Sequence, residues 1–222
     1  MKSVIVPTIY DLSRKFNKSK YKSPYESEIL TPEGLQDSKG HMCGKTYELA
    51  KPYIKQFHIG IDVGSRMGEF SFYAQFDFEH LYCFDPNFNA KFPLNVDTSI
   101  ATTYNCALGD TYETITMYGG MHTFRESIKP QESISIPLDR FKIINKVGLL
   151  KIDVEGFEKK VLLGAKGLIE RNNPVIIIEQ NHIKLEEEKA FSAKGYLESI
   201  GYEVKAICPR GWDHIMVRGK KS

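Results

Sequence analysis

The apolar residues of this chain occur in short runs that follow two different spacings. Near-continuous or alternating runs are typical of strands, and apolar residues three or four apart are typical of helices. The predicted strands are 58–64, 80–86, 100–108, 147–156 and 174–180, and the predicted helices are 68–76, 157–172 and 186–201. Apolar strands that alternate with helices predict an α/β fold with a mostly parallel, twisted sheet that is covered on both faces.

Two further pairs of segments depart from this alternation. Segments 202–209 and 213–219 are separated by a short turn and predict an antiparallel hairpin at one edge of the sheet. Segments 111–118 and 133–141 alternate in the manner of strands and flank a polar stretch that contains glycine. We therefore expect an inserted β-hairpin with an exposed loop.

The N-terminal part of the chain has a different character. Residues 1–44 show little apolar periodicity and predict an arm, whereas residues 45–222 carry the alternating pattern and predict one domain. A helix is expected over 44–57, with a break or kink at Pro52. The first 22 residues hold six Lys or Arg against one Asp, a net charge of +5. This basic arm either meets an anionic partner such as nucleic acid or is a solvated terminus.

The composition limits the class of protein. With 222 residues, 41% of them hydrophobic and 26% charged, the chain is long enough for one α/β domain with a sizeable core. No apolar run approaches the roughly 20 residues that a membrane span needs, and the N-terminus lacks a signal-peptide pattern. The four cysteines show no C-x-x-C spacing, which favours a reducing compartment. We expect a soluble, cytoplasmic protein.

The turn after the first predicted strand carries the clearest chemistry. It has the pattern G-x-x-x-G at Gly64 and Gly68, whereas a dinucleotide site needs G-x-G-x-x-G so that the backbone can approach a pyrophosphate. Asp62 and Glu69 flank this turn, and two carboxylates would repel a pyrophosphate. They suit a phosphate-free, cationic cofactor, and S-adenosylmethionine carries both an ammonium and a sulfonium. The other interpretation is a glycine turn in an unrelated α/β protein.

This hypothesis assigns a role to several residues. Gly64 lets the backbone pass under the methionine portion, and Asp62 binds the ammonium directly or through water. Asp85 ends the second predicted strand, 21 residues after Gly64, where it can accept hydrogen bonds from both ribose hydroxyls. Asn105 and Ala107, with Cys106 between them, are candidates to border the adenine, although Cys106 and Ala107 are equally expected in the core.

A second group of charged residues follows two later strands. Lys151, Asp153 and Glu155 share one side of a strand by period two, and Glu179 ends the next strand, three residues before His182. Ligands of open α/β sheets bind outside the carboxyl ends of the strands, so these residues should meet at one rim.

The group has three possible uses. His182 is the natural general base for an acceptor hydroxyl, with Asp153 or Glu179 as alternatives. The same acids could instead hold a divalent cation that acidifies the hydroxyl. In the structural interpretation, Lys151 pairs with one acid, Glu155 caps the following helix and His182 is an exposed loop residue.

Some residues outside these motifs remain open. The loop of the inserted hairpin either lines a substrate pocket, with His122 and Arg125 as contacts, or has no such role. Trp212 either packs at the edge of the core or contacts substrate. His41–Cys43 and Asp213–His214 contain ligand-type residues without metal spacing and are set aside.

The motifs taken together resemble a known family. IDVGSRMGEFS, CFDPN, NCALGD, LLKIDVEGFEKKVLLGA and PVIIIEQN, over about residues 58–208, are similar to the FkbM family of S-adenosylmethionine-dependent methyltransferases. The resemblance implies a Rossmann-like class I methyltransferase core in which Asp62, Gly64, Gly68 and Asp85 hold the cofactor. The family more often has Ala-Asn at Ser65-Arg66 and Glu at Asp85. Ser65 is then expected to contribute a backbone N–H.

The resemblance also implies O-methylation of a hydroxyl on a saccharide or other small polar molecule. Two alternatives remain open. One is a nucleic-acid methyltransferase acting on ribose 2′-hydroxyls, which the basic arm and the set of Lys151, Asp153 and Glu179 favour; the other is a non-catalytic binding module that retains the fold. The sequence indicates no oligomeric state.

Overall fold

The computed structural model describes residues 39–87, 92–118, 130–143, 146–180 and 192–219. The strands in these ranges are β1 (Ile59–Val63), β2 (His80–Phe84), β3 (Ala101–Tyr104), β4 (Ala107–Leu108), β5 (Glu113–Tyr118), β6 (Pro130–Ile136), β7 (Val147–Ile152), β8 (Val175–Glu179), β9 (Tyr202–Ile207) and β10 (Asp213–Arg218). The α-helices are α1 (Lys39–Ala50), α2 (Ser71–Ala74), α3 (Phe92–Asn95), α4 (Glu158–Leu163), α5 (Lys166–Asn172) and α6 (Ala193–Ser199).

The main sheet has seven strands in the order β3-β2-β1-β7-β8-β10-β9. Strands β3, β2, β1, β7 and β8 pair in parallel, and β10 is antiparallel to both β8 and β9. This confirms the predicted α/β fold with a mostly parallel sheet and an antiparallel edge hairpin. The chain leaves β1 toward one edge and later returns through β7 toward the other, so the order reverses between β1 and β7. In open α/β sheets ligands bind at such a reversal.

The predicted inserted hairpin is present as β5 and β6, which pair antiparallel. The segment predicted as one strand over 100–108 is in fact two strands, because the chain leaves the main sheet after Tyr104. Its second part, β4, pairs in parallel with β6 to give a separate three-stranded sheet. The predicted strand 133–141 is also corrected: β6 ends at Ile136, and Leu138–Arg140 form a 3₁₀ helix.

The helices follow local signals with several corrections. The predicted helix 68–76 is reduced to α2, and the part of the predicted helix 186–201 before residue 192 lies outside the described residues. The first helix begins earlier than expected, at Lys39, and gives way to a 3₁₀ helix that contains Pro52. The predicted helix 157–172 is two helices, α4 and α5, that break around Gly164. A Cβ on Gly164 would lie 1.8 Å from the carbonyl oxygen of Gly109, so the backbones touch at this break. Asp139 then accepts hydrogen bonds from the N–H groups of residues 167 and 168 at the start of α5.

Two apolar clusters pack on opposite faces of the sheet. Leu150 of β7 belongs to a cluster that includes residues of α4, α5 and α6, and Leu149 belongs to a cluster that includes residues of α1. All six residues of β7 are buried, as a central parallel strand requires. Within the described ranges, no helix has both the length and the apolar character to cross a bilayer.

Candidate cofactor and active site

A cavity of about 440 Å³ opens at the carboxyl ends of β1, β2, β7 and β8, where the strand order reverses. Its volume lies in the range of small-molecule sites. Most residues singled out from the sequence belong to its described lining: Gly64, Ser65, Glu69, Asp85, Cys106, Ala107, Lys151, Asp153, Glu155, Glu179 and Trp212. Asp62, Gly68 and Asn105 lie outside this lining, and His182, His122 and Arg125 fall outside the described residues.

The N–H groups of the turn after β1 all donate within the protein. Those of Gly64 and Ser65 donate to the carbonyl oxygen of Phe84, at 2.8 and 3.2 Å. The next three donate to the Asp85 carboxylate at 2.9 Å, the Glu69 carboxylate at 3.3 Å and the Ser65 carbonyl at 2.6 Å. A phosphate site needs such groups to point at the ligand. This turn therefore offers no cradle for a pyrophosphate, and the N–H of Ser65 is already used.

Both glycines of the turn have positive φ angles, and each is also needed for close packing. A Cβ on Gly64, at φ +81°, would lie 1.9 Å from the carbonyl oxygen of Asp153. A Cβ on Gly68, at φ +89°, would lie 2.6 Å from a methyl group of Val96. Gly64 thus lets the turn after β1 touch the loop after β7. This contact brings the candidate cofactor-binding turn next to the acidic residues that follow β7.

Arg66 also has a left-handed backbone, with φ +44°. This conformation costs a residue other than glycine about 1–3 kcal/mol and is held only where the surroundings determine it. Here the Arg66 N–H is bound to Asp85, and the side chain lines the cavity with 60% of its surface exposed. Its guanidinium lies 3.7 Å from the carboxylate of Glu69, which is also part of the lining.

Asp62 is buried behind the cavity wall. One carboxylate oxygen accepts a hydrogen bond from the Ser71 hydroxyl at 2.6 Å, and the other lies 3.1 Å from the Lys151 ammonium. Lys151 also donates to the Gly64 carbonyl at 3.2 Å and lies 3.6 Å from Asp153. Burial alone would lower the pKa of Lys151, but Asp62 and Asp153 raise it above the ordinary value. Lys151 is therefore a fixed cation that joins β1 to β7.

Asp85 faces the cavity at the end of β2, as expected. Its two carboxylate oxygens accept from the N–H groups of Arg66 at 2.9 Å and Asn87 at 2.7 Å. Burial raises its pKa above the ordinary value, and these two hydrogen bonds partly oppose that shift. Each carboxylate oxygen can accept more than one bond, so Asp85 retains capacity for two hydroxyl donors.

The acids of the second group do come together. Carboxylate oxygens of Asp153, Glu155 and Glu179 all lie within 4.8 Å of one another, close enough to share a divalent cation or to face one acceptor. The period-two argument for their placement is wrong, however, because β7 ends at Ile152. Glu155 has a left-handed backbone instead, with φ +59°, in the turn that leads to α4.

The N-cap residue of α4, Phe157, makes no side-chain capping hydrogen bond, and the acid in the first turn of this helix is Glu158. Its carboxylate accepts from the N–H groups of Val154 at 3.1 Å and Gly156 at 3.0 Å, and its side chain is buried. Burial raises the pKa of Glu158, while the N–H donors lower it. The capping role of Glu155 remains a prediction, and Glu158 instead accepts from N–H groups of the loop before α4. Glu158 holds the loop that carries Asp153 and Glu155.

Sequence reasoning missed several residues that complete the cavity. Asp213, the first residue of β10, lies opposite Glu179 in the antiparallel register and accepts a hydrogen bond from the Thr46 hydroxyl at 2.7 Å. Because β10 runs against β8, its first residue rather than its last reaches this rim. Arg210 lines the cavity as well, and so does Trp212, for which the sequence left both core packing and substrate contact open. The helix α1 adds Met42 and Cys43.

The opposite end of the cavity is apolar, and the inserted hairpin forms part of it. Ile115 and Met117 of β5 line it together with Ala107 of β4. The other apolar lining residues there are Phe84, Cys106, Leu108 and Phe157. The cavity therefore has an apolar end near β4 and an acidic end near β8, with Asp85 and the turn after β1 also in its wall.

Comparison with known proteins shows which family and which folds this chain resembles. The family model described as "Methyltransferase FkbM domain" matches residues 62–204. Among solved structures, a methyltransferase FkbM from Methylobacillus flagellatus KT is similar, with 23% identity, a TM-score of 0.52 and 72% of this chain covered. A precorrin-6y C5,15-methyltransferase from Geobacter metallireducens GS-15 gives 12% identity and a TM-score of 0.49, covering 90% of this chain and 100% of that one.

This chain spans only 43% of the Methylobacillus flagellatus chain, and at this identity the likeness concerns the fold. No curated protein matches the sequence. The family model, in contrast, covers well over half of the chain and includes the turn after β1, Asp85 and the acids after β7 and β8. The chain belongs to the FkbM methyltransferase family.

Proposed function

We propose that this protein is an S-adenosylmethionine-dependent methyltransferase that methylates a hydroxyl of a saccharide or other small polar molecule. The turn after β1 is the observation that carries the cofactor assignment, because its five N–H groups all donate within the protein. The turn is therefore compatible with a nucleoside cofactor that has no phosphate and is held through its ribose.

The residues present fit such a cofactor. Asp85 would accept the two ribose hydroxyls, and the apolar end around Ala107 and Met117 would enclose the adenine. Gly64 keeps the turn close to Asp153, so that the methyl-bearing centre and the acids after β7 share one space. When bound, the cofactor supplies an electrophilic methyl group. The protein must position an acceptor in line with that group and take up the proton of the acceptor.

The acidic end suits an acceptor that presents several hydroxyl groups. The carboxylates of Asp153, Glu155, Glu179 and Asp213 are hydrogen-bond acceptors, and each can take O–H donors from a polyol. Trp212 offers an aromatic surface against which the C–H face of a sugar can pack. Asp153 and Glu179 are the described candidates for the base, because Lys151 stays protonated. A catalytic role for His182 remains a prediction.

A divalent cation is a second way to use the same acids. Asp153, Glu155 and Glu179 could supply three oxygen ligands, and a bound cation would lower the pKa of an acceptor hydroxyl. Oxygen ligands of this kind favour Mg²⁺, Ca²⁺ or Mn²⁺. Activity that is lost with a chelator and restored by one of these ions would support this use.

The nucleic-acid alternative has less support from the cavity. The acidic end of the cavity carries four carboxylates, which would repel a phosphate backbone, and Lys151 is buried between Asp62 and Asp153. The basic arm, residues 1–44, lies almost entirely outside the described residues and remains a proposed binding element. Salt-dependent binding of RNA or DNA that disappears on deletion of residues 1–22 would favour this alternative.

The test is a methyl-transfer assay on the full chain with labelled S-adenosylmethionine and a panel of saccharides, small alcohols and short RNA, each with and without a chelator. We expect transfer to a polyol and not to RNA. Asp85→Ala should abolish cofactor binding in calorimetry, whereas Asp110→Ala, at an exposed position outside the cavity, should not. Cofactor binding without transfer to any acceptor would favour the non-catalytic module, and unchanged binding by Asp85→Ala would overturn the site.

A further inference from the structure

The buried position of Asp62 leaves one part of the proposed cofactor without its expected partner. The amino-acid end of S-adenosylmethionine carries an ammonium and a carboxylate, and Asp62 was expected to bind the ammonium directly or through water. In the structure Asp62 is only 2% exposed, is bound to Ser71 and Lys151, and lies outside the cavity lining. Asp62 is therefore not placed to contact the zwitterion directly, and other charged groups of the wall are the candidates for that contact.

Arg66 and Glu69 are two such groups, and they lie side by side in the lining. Their nearest charged atoms are 3.7 Å apart, which is an ion pair but exceeds the length of a hydrogen bond. Glu69 is nearly buried, with 10% of its side chain exposed, while the Arg66 side chain is 60% exposed toward the cavity and solvent. A positive and a negative group at this spacing complement the neighbouring carboxylate and ammonium of an amino acid.

The backbone at residue 66 supports a role for its side chain. Arg66 has φ +44°, a conformation that glycine adopts most readily, yet the residue here is the longest basic side chain available. The strained backbone bonds its N–H to Asp85 and sends its side chain to the cavity wall. Strain that is kept by bonds to a binding residue is typical of functional sites.

We propose that Arg66 and Glu69 together bind the amino-acid end of the cofactor, with Arg66 taking the carboxylate and Glu69 the ammonium. The guanidinium can bind a carboxylate in a bidentate manner, which a point charge cannot. This proposal rests on the proposed use of S-adenosylmethionine. Under this proposal Arg66 and Glu69, rather than Asp62, give the site its selectivity for a cofactor with an amino-acid end.

The test is isothermal titration of the full chain with S-adenosylmethionine and with decarboxylated S-adenosylmethionine, which keeps the ammonium and lacks the carboxylate. Arg66→Asn removes the charge and still tolerates a left-handed backbone. It should weaken binding of S-adenosylmethionine by about tenfold or more, as expected for a lost charge-assisted bond, and leave binding of the decarboxylated compound nearly unchanged. Glu69→Gln should weaken binding of both compounds.

Arg171→Asn is the matched control, because Arg171 is similarly exposed, at 61%, and pairs with Asp139 at 3.9 Å outside the cavity. It should bind both compounds like the wild type, and Arg66→Lys should recover part of the affinity that Arg66→Asn loses. An equal loss of both compounds in Arg66→Asn, with an unchanged thermal midpoint, would overturn the proposal. If the wild-type chain binds neither compound, the proposed function itself fails.

Discussion

The carbonyl oxygen of Asp153 occupies the place where a side chain of residue 64 would begin. A Cβ on Gly64 would come within 1.9 Å of that oxygen, so the turn after β1 and the loop after β7 meet backbone to backbone. The candidate cofactor wall and the candidate catalytic acids are joined at this contact. The following predictions test the parts of the molecule that meet there.

Gly64→Ala should both destabilise the protein and abolish cofactor binding. A left-handed alanine loses about 1–2 kcal/mol, and the clash with Asp153 must in addition move one of the two loops. Gly201→Ala is the control, because Gly201 has a similar φ of +88° but its added Cβ would meet only Arg218, at an ordinary 3.7 Å. Urea unfolding and calorimetry should show a smaller loss of stability and intact binding for the control. Equal effects of the two variants would contradict the role of the contact.

Lys151→Met should lower the free energy of unfolding by about 3–5 kcal/mol, because it leaves Asp62 buried without its cation. The double variant Asp62→Asn with Lys151→Met should lose less than the two single variants added together, since it removes both charges. Urea unfolding of the four proteins measures this coupling. Strict additivity would show that the pair at 3.1 Å does not stabilise the junction of β1 and β7.

Glu158→Ala should destabilise the protein by about 1–3 kcal/mol, because the N–H groups of Val154 and Gly156 lose their acceptor. The same change should weaken methyl transfer by loosening the loop that carries Asp153 and Glu155. Glu198→Ala, which breaks only the exposed pair with Lys194, should change stability by no more than about 0.5 kcal/mol. A Glu158 variant with wild-type stability would refute its role in holding the loop.

Cofactor binding should weaken on acidification at a pH above that at which a free aspartate titrates. Burial raises the pKa of Asp85, and protonation removes an acceptor for the ribose hydroxyls, so the Kd should rise by about tenfold per pH unit below that pKa. The free energy of unfolding should depend on pH in the opposite direction. Because the carboxyl pKa is raised, the folded state binds the proton more tightly than the unfolded state does, so the contribution of Asp85 to stability is lost as pH rises through this window. At the acidic end of this window the protein should therefore remain folded while it binds the cofactor weakly.

Calorimetry at several pH values, with circular dichroism at each, separates the two effects. Asp85→Asn should bind weakly and show little dependence on pH over the same window. A variant that keeps the pH dependence of the wild type would assign the titration to another group.

The parts of the site that the sequence located are those governed by local pattern. The glycine turn and Asp85 follow from strands whose ends are marked by Gly64 and by the D-P at Asp85-Pro86, and the acids after β7 and β8 follow from the rule for carboxyl ends. Local pattern alone does not decide on which side of a wall a buried side chain lies. Asp62 precedes the turn as expected, but Ser71 and Lys151 hold it away from the cavity.

The residues that the sequence missed depend on pairing across the fold. Asp213 was set aside because it shows no metal spacing, yet the antiparallel pairing of β10 with β8 brings it opposite Glu179. Similarly, Ile115 and Met117 reach the cavity only because β4 leaves the main sheet and pairs with β6. The direction of a strand and the sheet that it joins are set by tertiary structure, and a short window of sequence does not determine them.

The inward hydrogen bonds of the turn after β1 also constrain how this protein could evolve. Three of the five N–H groups donate to backbone carbonyl oxygens, so no exchange of side chains could free these three for a pyrophosphate; the loop itself would have to be rebuilt. The acidic end, in contrast, is made of side chains that single substitutions can replace. Descendants of this chain could therefore change their acceptor by point mutation while remaining unable to adopt a dinucleotide.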